Sequence, residues 1–150
     1  MKYRTWITLL LGAALAAGLL TGCGAASYRD GTYEGQSSVY ENEDEDSEEG
    51  NGYGVVDITI SGGKISSCTF NTYEPDGKLK DEDYGKEGGE IKNKDFYNKA
   101  QRARSACENY SQQLVAKGDI GEVDAISGAT YNYNQFVEAV DNALAQAEQK

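Results

Sequence analysis

The chain has 150 residues, with 14 basic and 25 acidic side chains and a formal net charge of −11. The length suits one domain of ordinary size, and so acidic a surface repels nucleic acid and anionic lipid headgroups. Histidine is absent and Met1 is the only methionine, which excludes Ser-His-Asp and Cys-His enzymes, zinc sites with histidine, and haem held by histidine or methionine. Redox chemistry in this chain would need a bound organic cofactor.

Residues 1–22 predict a lipoprotein signal peptide. Lys2 and Arg4 supply its positive start, and the apolar stretch that follows is too short for a comfortable membrane span. It ends in Leu20-Thr21-Gly22-Cys23, which resembles the bacterial lipobox, so we expect Cys23 to carry lipid and residues 23–29 to form a lipidated tether. An uncleaved signal anchor is the alternative. Both interpretations place the remaining chain outside the cytoplasm, at the outer face of the cell membrane.

Alternating apolar residues predict a small antiparallel sheet at the start of a folded domain over 30–150. A turn at Asp30-Gly31 leads into an N-terminal strand. In the stretch 53–60, three buried-type residues alternate with polar ones, and a Gly-Gly turn then connects it to a returning strand over 64–73. The spelling of this hairpin favours one buried and one solvated face.

Two polar segments interrupt these elements. Residues 41–49 contain seven acids in nine positions, in a spacing that matches no calcium loop, so we interpret them as a solvated loop. Loose divalent cation binding and docking of a basic redox partner are the alternatives, and no metal site is assigned. Residues 74–90, which include Tyr84, predict a long surface loop that is either a lid over a ligand or a mobile segment.

Two amphipathic helices complete the predicted α+β fold, in which they pack on the sheet. The first runs over 94–117, with Asn93 as its N-cap and Gly118 as its C-cap. Its apolar stripe reads as core and comprises Phe96, Ala100, Ala103, Cys107, Tyr110 and Leu114. The second runs over 132–148, with Asn132 and Gln135 as a capping pair at its start.

Cys68 and Cys107 lie on the predicted buried faces of a strand and a helix. They do not form a C-x-x-C pair. Two buried structural thiols are the expected state, and a disulfide is the alternative, because the faces could meet in the core and the compartment is oxidising.

The stretch Asp124-Ala125-Ile126-Ser127-Gly128-Ala129-Thr130 opens the last helix. Small residues at 127–129 allow close approach to the backbone, and a hydroxyl follows where the helix begins. The free N–H groups and the positive dipole end at such a position favour a phosphate. A plain strand-to-helix turn with a capping hydroxyl is the structural alternative.

This stretch resembles the motif D-x-x-[ST]-G-A-[ST], by which FMN-binding domains are covalently flavinylated. Such domains include the small subunits of the Rnf and Na⁺-pumping NADH:quinone reductase complexes and many surface lipoproteins. The resemblance extends to the opening D-G-T-Y-E-G and to the hairpin. It implies covalent FMN joined to Thr130 through a phosphoester, with Asp124, Ser127, Gly128 and Ala129 completing the cofactor-binding motif. Whether Asp124 caps the turn or serves recognition by the modifying enzyme stays open.

The resemblance also implies partners and a role. A separate flavin transferase would modify Thr130, and the lipid-anchored flavoprotein would then carry electrons between a membrane redox partner and an acceptor. The chain itself need not be an enzyme, and no catalytic residue is assigned. The alternatives are a flavin-dependent reductase of a small molecule and a binding lipoprotein without a cofactor.

Overall fold

Two helices cover one face of a three-stranded antiparallel sheet in the computed structural model, which describes residues 28–44 and 46–148. The first helix packs mainly on the last strand, and the second packs on the other two strands. The predicted α+β fold is therefore confirmed. In chain order the elements are β1 (Gly31–Gln36), β2 (Tyr53–Ser61), β3 (Lys64–Tyr73), α1 (Lys94–Lys117), a 3₁₀ turn (Ile120–Glu122) and α2 (Thr130–Ala147).

The predicted signal peptide and most of the predicted tether, including Cys23, lie outside the described residues. Among the helices that the structure describes, none combines the length and the apolar character that a membrane crossing needs.

The β2–β3 hairpin forms as the alternation predicts. Gly62 and Gly63 both have positive φ, 61° and 74°, which suits the tight turn of a twisted hairpin. Val56, Ile58 and Ile60 are at most 2% exposed and face the helices. Strand β3, the two helices and the loop before α2 contribute the rest of the core, whose largest fully buried side chains also include Tyr110, Leu114, Phe136 and Val140.

Helix α1 begins and ends at the predicted caps. The Asn93 side chain accepts a hydrogen bond from the Phe96 N–H at 3.0 Å. Gly118 has a left-handed φ of 73° and donates its N–H to the Leu114 carbonyl at 2.8 Å. Each cap thereby satisfies one backbone group that the helix itself leaves unpaired.

Helix α2 begins at Thr130, two residues before the predicted start, and the predicted capping pair is wrong. Asn132 and Gln135 lie inside the helix, where their side chains make long-range contacts instead. The Asn132 amide donates to the Ala103 carbonyl of α1 at 3.1 Å. The Gln135 amide donates to the carbonyls of Gly50 and Gly52 at 3.1 and 3.0 Å. Both side chains therefore join α2 to its neighbours rather than close its first turn.

Helix α2 lies unusually close to β1. A Cβ atom built on Gly35 would fall 2.0 Å from the Ala139 carbonyl oxygen and 2.6 Å from the Ala143 nitrogen. Only a glycine in the strand, facing alanines in the helix, allows this approach. The start of the described chain is bound to the far end of the same helix.

At that end, the Arg29 N–H donates to the Ala147 carbonyl at 2.8 Å, and the Arg29 guanidinium donates to the Gln146 carbonyl at 2.7 Å. Thr130 lies at the opposite end of α2, roughly 26 Å away at about 1.5 Å of rise per residue.

Cys68 and Cys107 are both free thiols. Cys68 is half-buried on β3 and hydrogen-bonds Ser111, whereas Cys107 is buried and hydrogen-bonds Thr72 and Asn132. Both cysteines line one surface cavity together with Ser111, and the two thiols form no disulfide. Burial raises the pKa of Cys68 to about 11 and raises that of Cys107 as well, so both stay protonated and unreactive at neutral pH.

We expect Cys68 and Cys107 to be alkylated completely in denatured protein that has never met a reductant. Both thiols are free in the structure, and each has its own hydrogen-bond partner, Ser111 for Cys68 and Asn132 for Cys107. Peptide mass spectrometry after alkylation would report one label on each cysteine, and prior reduction should add nothing. Labels that appear only after reduction would contradict this arrangement.

Candidate functional site

The loop from Asp124 to Ala129 carries Thr130 at the surface. Ser127, Gly128 and Thr130 are exposed, whereas Ala129 is only 4% exposed and anchors the loop in the core. Gly128 has a φ of 79°, and a Cβ atom built on it would meet nothing within 4 Å. The motif glycine therefore provides a left-handed turn and leaves open space beside the Thr130 hydroxyl.

Tyr110 of α1 clamps this loop from beneath. Its side chain is fully buried, and its hydroxyl accepts the Ile126 N–H at 3.0 Å and donates to the Ala129 carbonyl at 3.2 Å. Burial raises the pKa of Tyr110, so the hydroxyl remains a neutral donor. One hydroxyl thus fixes both ends of the Ser127-Gly128 turn and, with it, the first residue of α2.

Asp124 is held one turn further along α1. Gln113 accepts the Asp124 N–H at 2.9 Å and donates to its carbonyl at 3.3 Å. The Asp124 carboxylate, whose side chain is 85% exposed, contacts Lys117 Nζ at 2.9 Å. Of the two roles left open for Asp124, capping of the turn has no hydrogen bond to support it among the described residues, because the carboxylate contacts Lys117 of α1, and recognition by the modifying enzyme stays a prediction. So exposed an ion pair contributes little to stability.

The N-terminus of α2 is open to solvent. Ala129 is its N-cap and makes no side-chain capping bond. The N–H groups of Thr130, Tyr131 and Asn132 donate to no backbone acceptor within the part of the chain that the structure describes. Together with the positive end of the helix dipole, they form a surface that favours a phosphate near the Thr130 hydroxyl.

A cleft with aromatic walls, here called the aromatic cleft, lies on one side of the motif. Gly128 and Ala129 form one edge. Opposite them lie Tyr84 and Phe96, whose rings meet edge to face with centroids 5.9 Å apart. Its remaining lining includes Lys80, Lys99 and Tyr131. The cleft volume is about 50 Å³, so a planar ring system would rest across its mouth rather than inside it.

The segment 74–92 forms the outer wall of the aromatic cleft and is fastened to α1. The Gln101 amide donates to the carbonyls of Asp81 and Tyr84 at 3.2 and 3.1 Å. The Tyr97 hydroxyl donates to the Glu82 carbonyl at 3.1 Å. Of the two interpretations of this loop, a cover beside a ligand site agrees better with these contacts than a mobile segment does.

An open polar groove lies on the other side of the motif. Its volume is about 580 Å³, and it runs along α1 to Ile126 and Ser127. Arg102 is the charged residue in its lining, which otherwise carries the amides and hydroxyls of Asn98, Gln101, Ser105 and Asn109. The motif therefore lines the aromatic cleft through Gly128 and Ala129 and the polar groove through Ile126 and Ser127, and Thr130 follows directly after these residues.

The acidic segment 41–49 leads to the edge of the aromatic cleft. Gly50 packs against the Tyr131 ring, which also lies 5.0 Å from the Tyr40 ring, and Gln135 binds the Gly50 carbonyl. Glu49 pairs with Lys99 across the cleft mouth at 3.6 Å. No group of three or more potential metal ligands occurs within residues 28–44 and 46–148.

Sequence reasoning missed three residues of this site. Tyr110 was assigned to the core, which is correct for its ring but omits its hydroxyl. Gln113 carried no signal, because its contacts with Asp124 depend on the fold. Lys80 lay in a loop whose position the pattern could not predict. Only Tyr110 offered a clue, since a buried tyrosine hydroxyl needs a hydrogen-bond partner.

Comparison with known proteins gives a family match and fold matches. The profile of the FMN-binding domain matches residues 50–145. A crystal structure of a Clostridium perfringens protein aligns with a TM-score of 0.56 and 22% identity, over 80% of this chain and 88% of that chain. A solution NMR structure from Clostridium thermocellum aligns over 80% and 92%, with 22% identity and a TM-score of 0.41. No curated protein matches. The crystal structure supports the fold alone.

We expect Tyr110→Phe to lower the free energy of unfolding by about 1–3 kcal/mol, because it leaves the Ile126 N–H and the Ala129 carbonyl without their buried partner. Amide exchange should accelerate at Ile126 while the β2 amides change only through global stability. Tyr133→Phe is the matched control, since the Tyr133 hydroxyl makes one bond, to the Val123 carbonyl at 3.2 Å. Equal effects of the two variants on Ile126 exchange would refute the clamp.

Proposed function

Because this chain belongs to the FMN-binding domain family, we propose that it is a membrane-tethered, extracytoplasmic electron carrier that holds FMN covalently on Thr130. The observation that carries the proposal is the exposed Thr130 hydroxyl at the first position of α2, on a loop clamped by Tyr110. An acceptor hydroxyl must be both reachable and held in one place, and this one meets both conditions.

The residues around Thr130 suit a flavin phosphate. The unpaired N–H groups at the start of α2 favour negative charge, and a phosphate at a helix N-terminus stabilises the helix. The glycine at 128 leaves the approach free of side chains. These features support attachment at Thr130 rather than at Ser127, whose position precedes the helix by three residues.

Attachment requires a second protein, a flavin transferase that supplies FAD. The Thr130 hydroxyl oxygen forms the new bond to the FMN phosphorus, the bond from that phosphorus to the AMP phosphate oxygen breaks, and AMP leaves. The hydroxyl proton passes to a base of the transferase or to solvent. Once bound, the flavin supplies one- and two-electron chemistry, which the histidine-free chain cannot provide through its own side chains.

The proposed location follows from the signal sequence. Cys23 is the lipid attachment, so the domain is tethered to the outer face of the membrane. A covalent cofactor suits this compartment, where a dissociating flavin would be lost. The domain then exchanges electrons with a membrane redox partner, and its described part carries a large acidic surplus that keeps it soluble beside the bilayer.

We expect Thr130→Ala to abolish covalent flavin without disturbing the fold, because the side chain is exposed and only the acceptor oxygen is lost. The measurement is intact mass and in-gel flavin fluorescence after coexpression with a flavin transferase. Thr130→Ser should retain the flavin, and Ser127→Ala is the control within the same loop. Flavin fluorescence that survives denaturation of Thr130→Ala would disprove the attachment site, and wild-type protein without flavin would disprove the function.

A second prediction concerns the anchor. Replacing Cys23 with Ser should move the protein from the membrane fraction to the soluble fraction, because lipid addition requires the thiol. Cys68→Ser, outside the signal segment, should leave the protein membrane-bound. Immunoblots of washed membranes decide the matter, and a membrane-bound Cys23→Ser protein would indicate an uncleaved signal anchor instead.

A further inference from the structure

Lys80 places a positive charge in the wall of the aromatic cleft. Its side chain is half-buried, its ammonium donates to the Asn51 carbonyl, and it lies 5.0 Å from the centroid of the Tyr84 ring. Among residues 28–44 and 46–148, no carboxylate forms an ion pair with it. The other cleft lysine differs, because Lys99 is more exposed and pairs with Glu49.

The groups around Lys80 do not neutralise it. Burial raises the pKa of Tyr84 to about 12, and burial also raises the pKa of Cys107, so both neighbours are uncharged. Glu74 acts on Lys80 only from a distance and contacts Lys78 at 3.7 Å. A half-buried cation without an anion is costly, and in a chain with 25 acids and 14 bases a partner could easily have been placed there.

A negative charge on a bound ligand would compensate the unpaired ammonium of Lys80. The cleft that Lys80 lines also contains Gly128 and Ala129, directly before the proposed attachment residue. When a donor reductase delivers two electrons and solvent delivers one proton, a flavin ring gains a single negative charge. Within a low-dielectric wall, a nearby ammonium stabilises such a charge far more than solvent-exposed lysines do.

We propose that Lys80 faces the flavin ring carried by Thr130, stabilises the charge that the ring gains on reduction, and so raises its midpoint potential. This inference rests on the proposed function. It assigns the ring to the mouth of the aromatic cleft, against Tyr84, and leaves the polar groove beside Arg102 without the ring.

The test compares three single substitutions in flavinylated protein: Lys80→Met, Lys99→Met and Arg102→Met. Each removes one positive charge near the motif and keeps an unbranched apolar stem. Spectroelectrochemical titration at one pH gives the midpoint potential. Lys80→Met should lower it by about 30 mV or more, which is a tenfold change in the ratio of reduced to oxidised flavin for a two-electron couple. The other two substitutions should change that ratio less than twofold.

Two results would overturn the role of Lys80. A large shift in Arg102→Met with none in Lys80→Met would place the ring in the polar groove. A large loss of stability in unmodified Lys80→Met would show that the lysine serves the fold through Asn51 and Tyr84. We expect denaturant unfolding of unmodified Lys80→Met to show no such loss, because the substitution removes a buried charge that has no carboxylate partner.

A second readout separates this inference from the proposed function. Thr130→Ala protein carries no linked flavin and can be titrated with added FMN, oxidised or reduced. The double variant with Thr130→Ala and Lys80→Met should bind FMN more weakly than Thr130→Ala alone. The loss of affinity should be at least tenfold greater for reduced FMN than for oxidised FMN. Normal flavinylation with no effect of Lys80→Met overturns the lysine's role alone. Absence of flavin on Thr130 of the wild-type protein overturns the proposed function. In that case the titration with added FMN still tests whether Lys80 favours reduced over oxidised flavin.

Discussion

The two hydrogen bonds of the Tyr110 hydroxyl are the constraint on which the rest of the site depends. They link the middle of α1 to both ends of the turn before α2. The turn over Ser127 and Gly128 has one backbone hydrogen bond of its own, from the Ala129 N–H to the Ile126 carbonyl at 3.0 Å, and Tyr110 joins the same two residues to α1. The Tyr110 ring packs against Tyr133 and Phe136 in the core. This packing fixes the position of its hydroxyl. The backbone beside Thr130 is therefore held by a core residue, although the Thr130 side chain is exposed.

Helix α1 acts as a shared support for both walls of the aromatic cleft. Tyr110 and Gln113 hold the motif loop, while Gln101 and Tyr97 hold the segment that carries Lys80 and Tyr84. The two segments lie about 45 residues apart in the chain, and α1 contacts both and adds Phe96 and Lys99 to the cleft. Their separation is therefore set by one rigid element, which explains how irregular segments can form a defined site.

The sequence predicted the sheet, the first helix and the position of the motif, because each has a strong local signal. Alternation marks β2, and the caps at Asn93 and Gly118 use atoms a few residues away. The start of α2 was misjudged because Asn132 and Gln135 look like caps but serve tertiary contacts with Ala103 and Gly50. The same limit hid the position of Lys80, whose hydrogen bond to the Asn51 carbonyl joins residues 29 positions apart. Local sequence patterns predict local geometry. Contacts between side chains that are distant in the sequence produce no periodic pattern from which they could be predicted.

The attachment of Arg29 to the last turn of α2 has a consequence for how the domain is presented. Tyr28, the first described residue, lies beside Glu148 at the end of α2 opposite Thr130, so the length of α2 separates the two. Under the proposed function, the residue nearest the tether and the residue that would carry the flavin therefore stand at opposite ends of one helix.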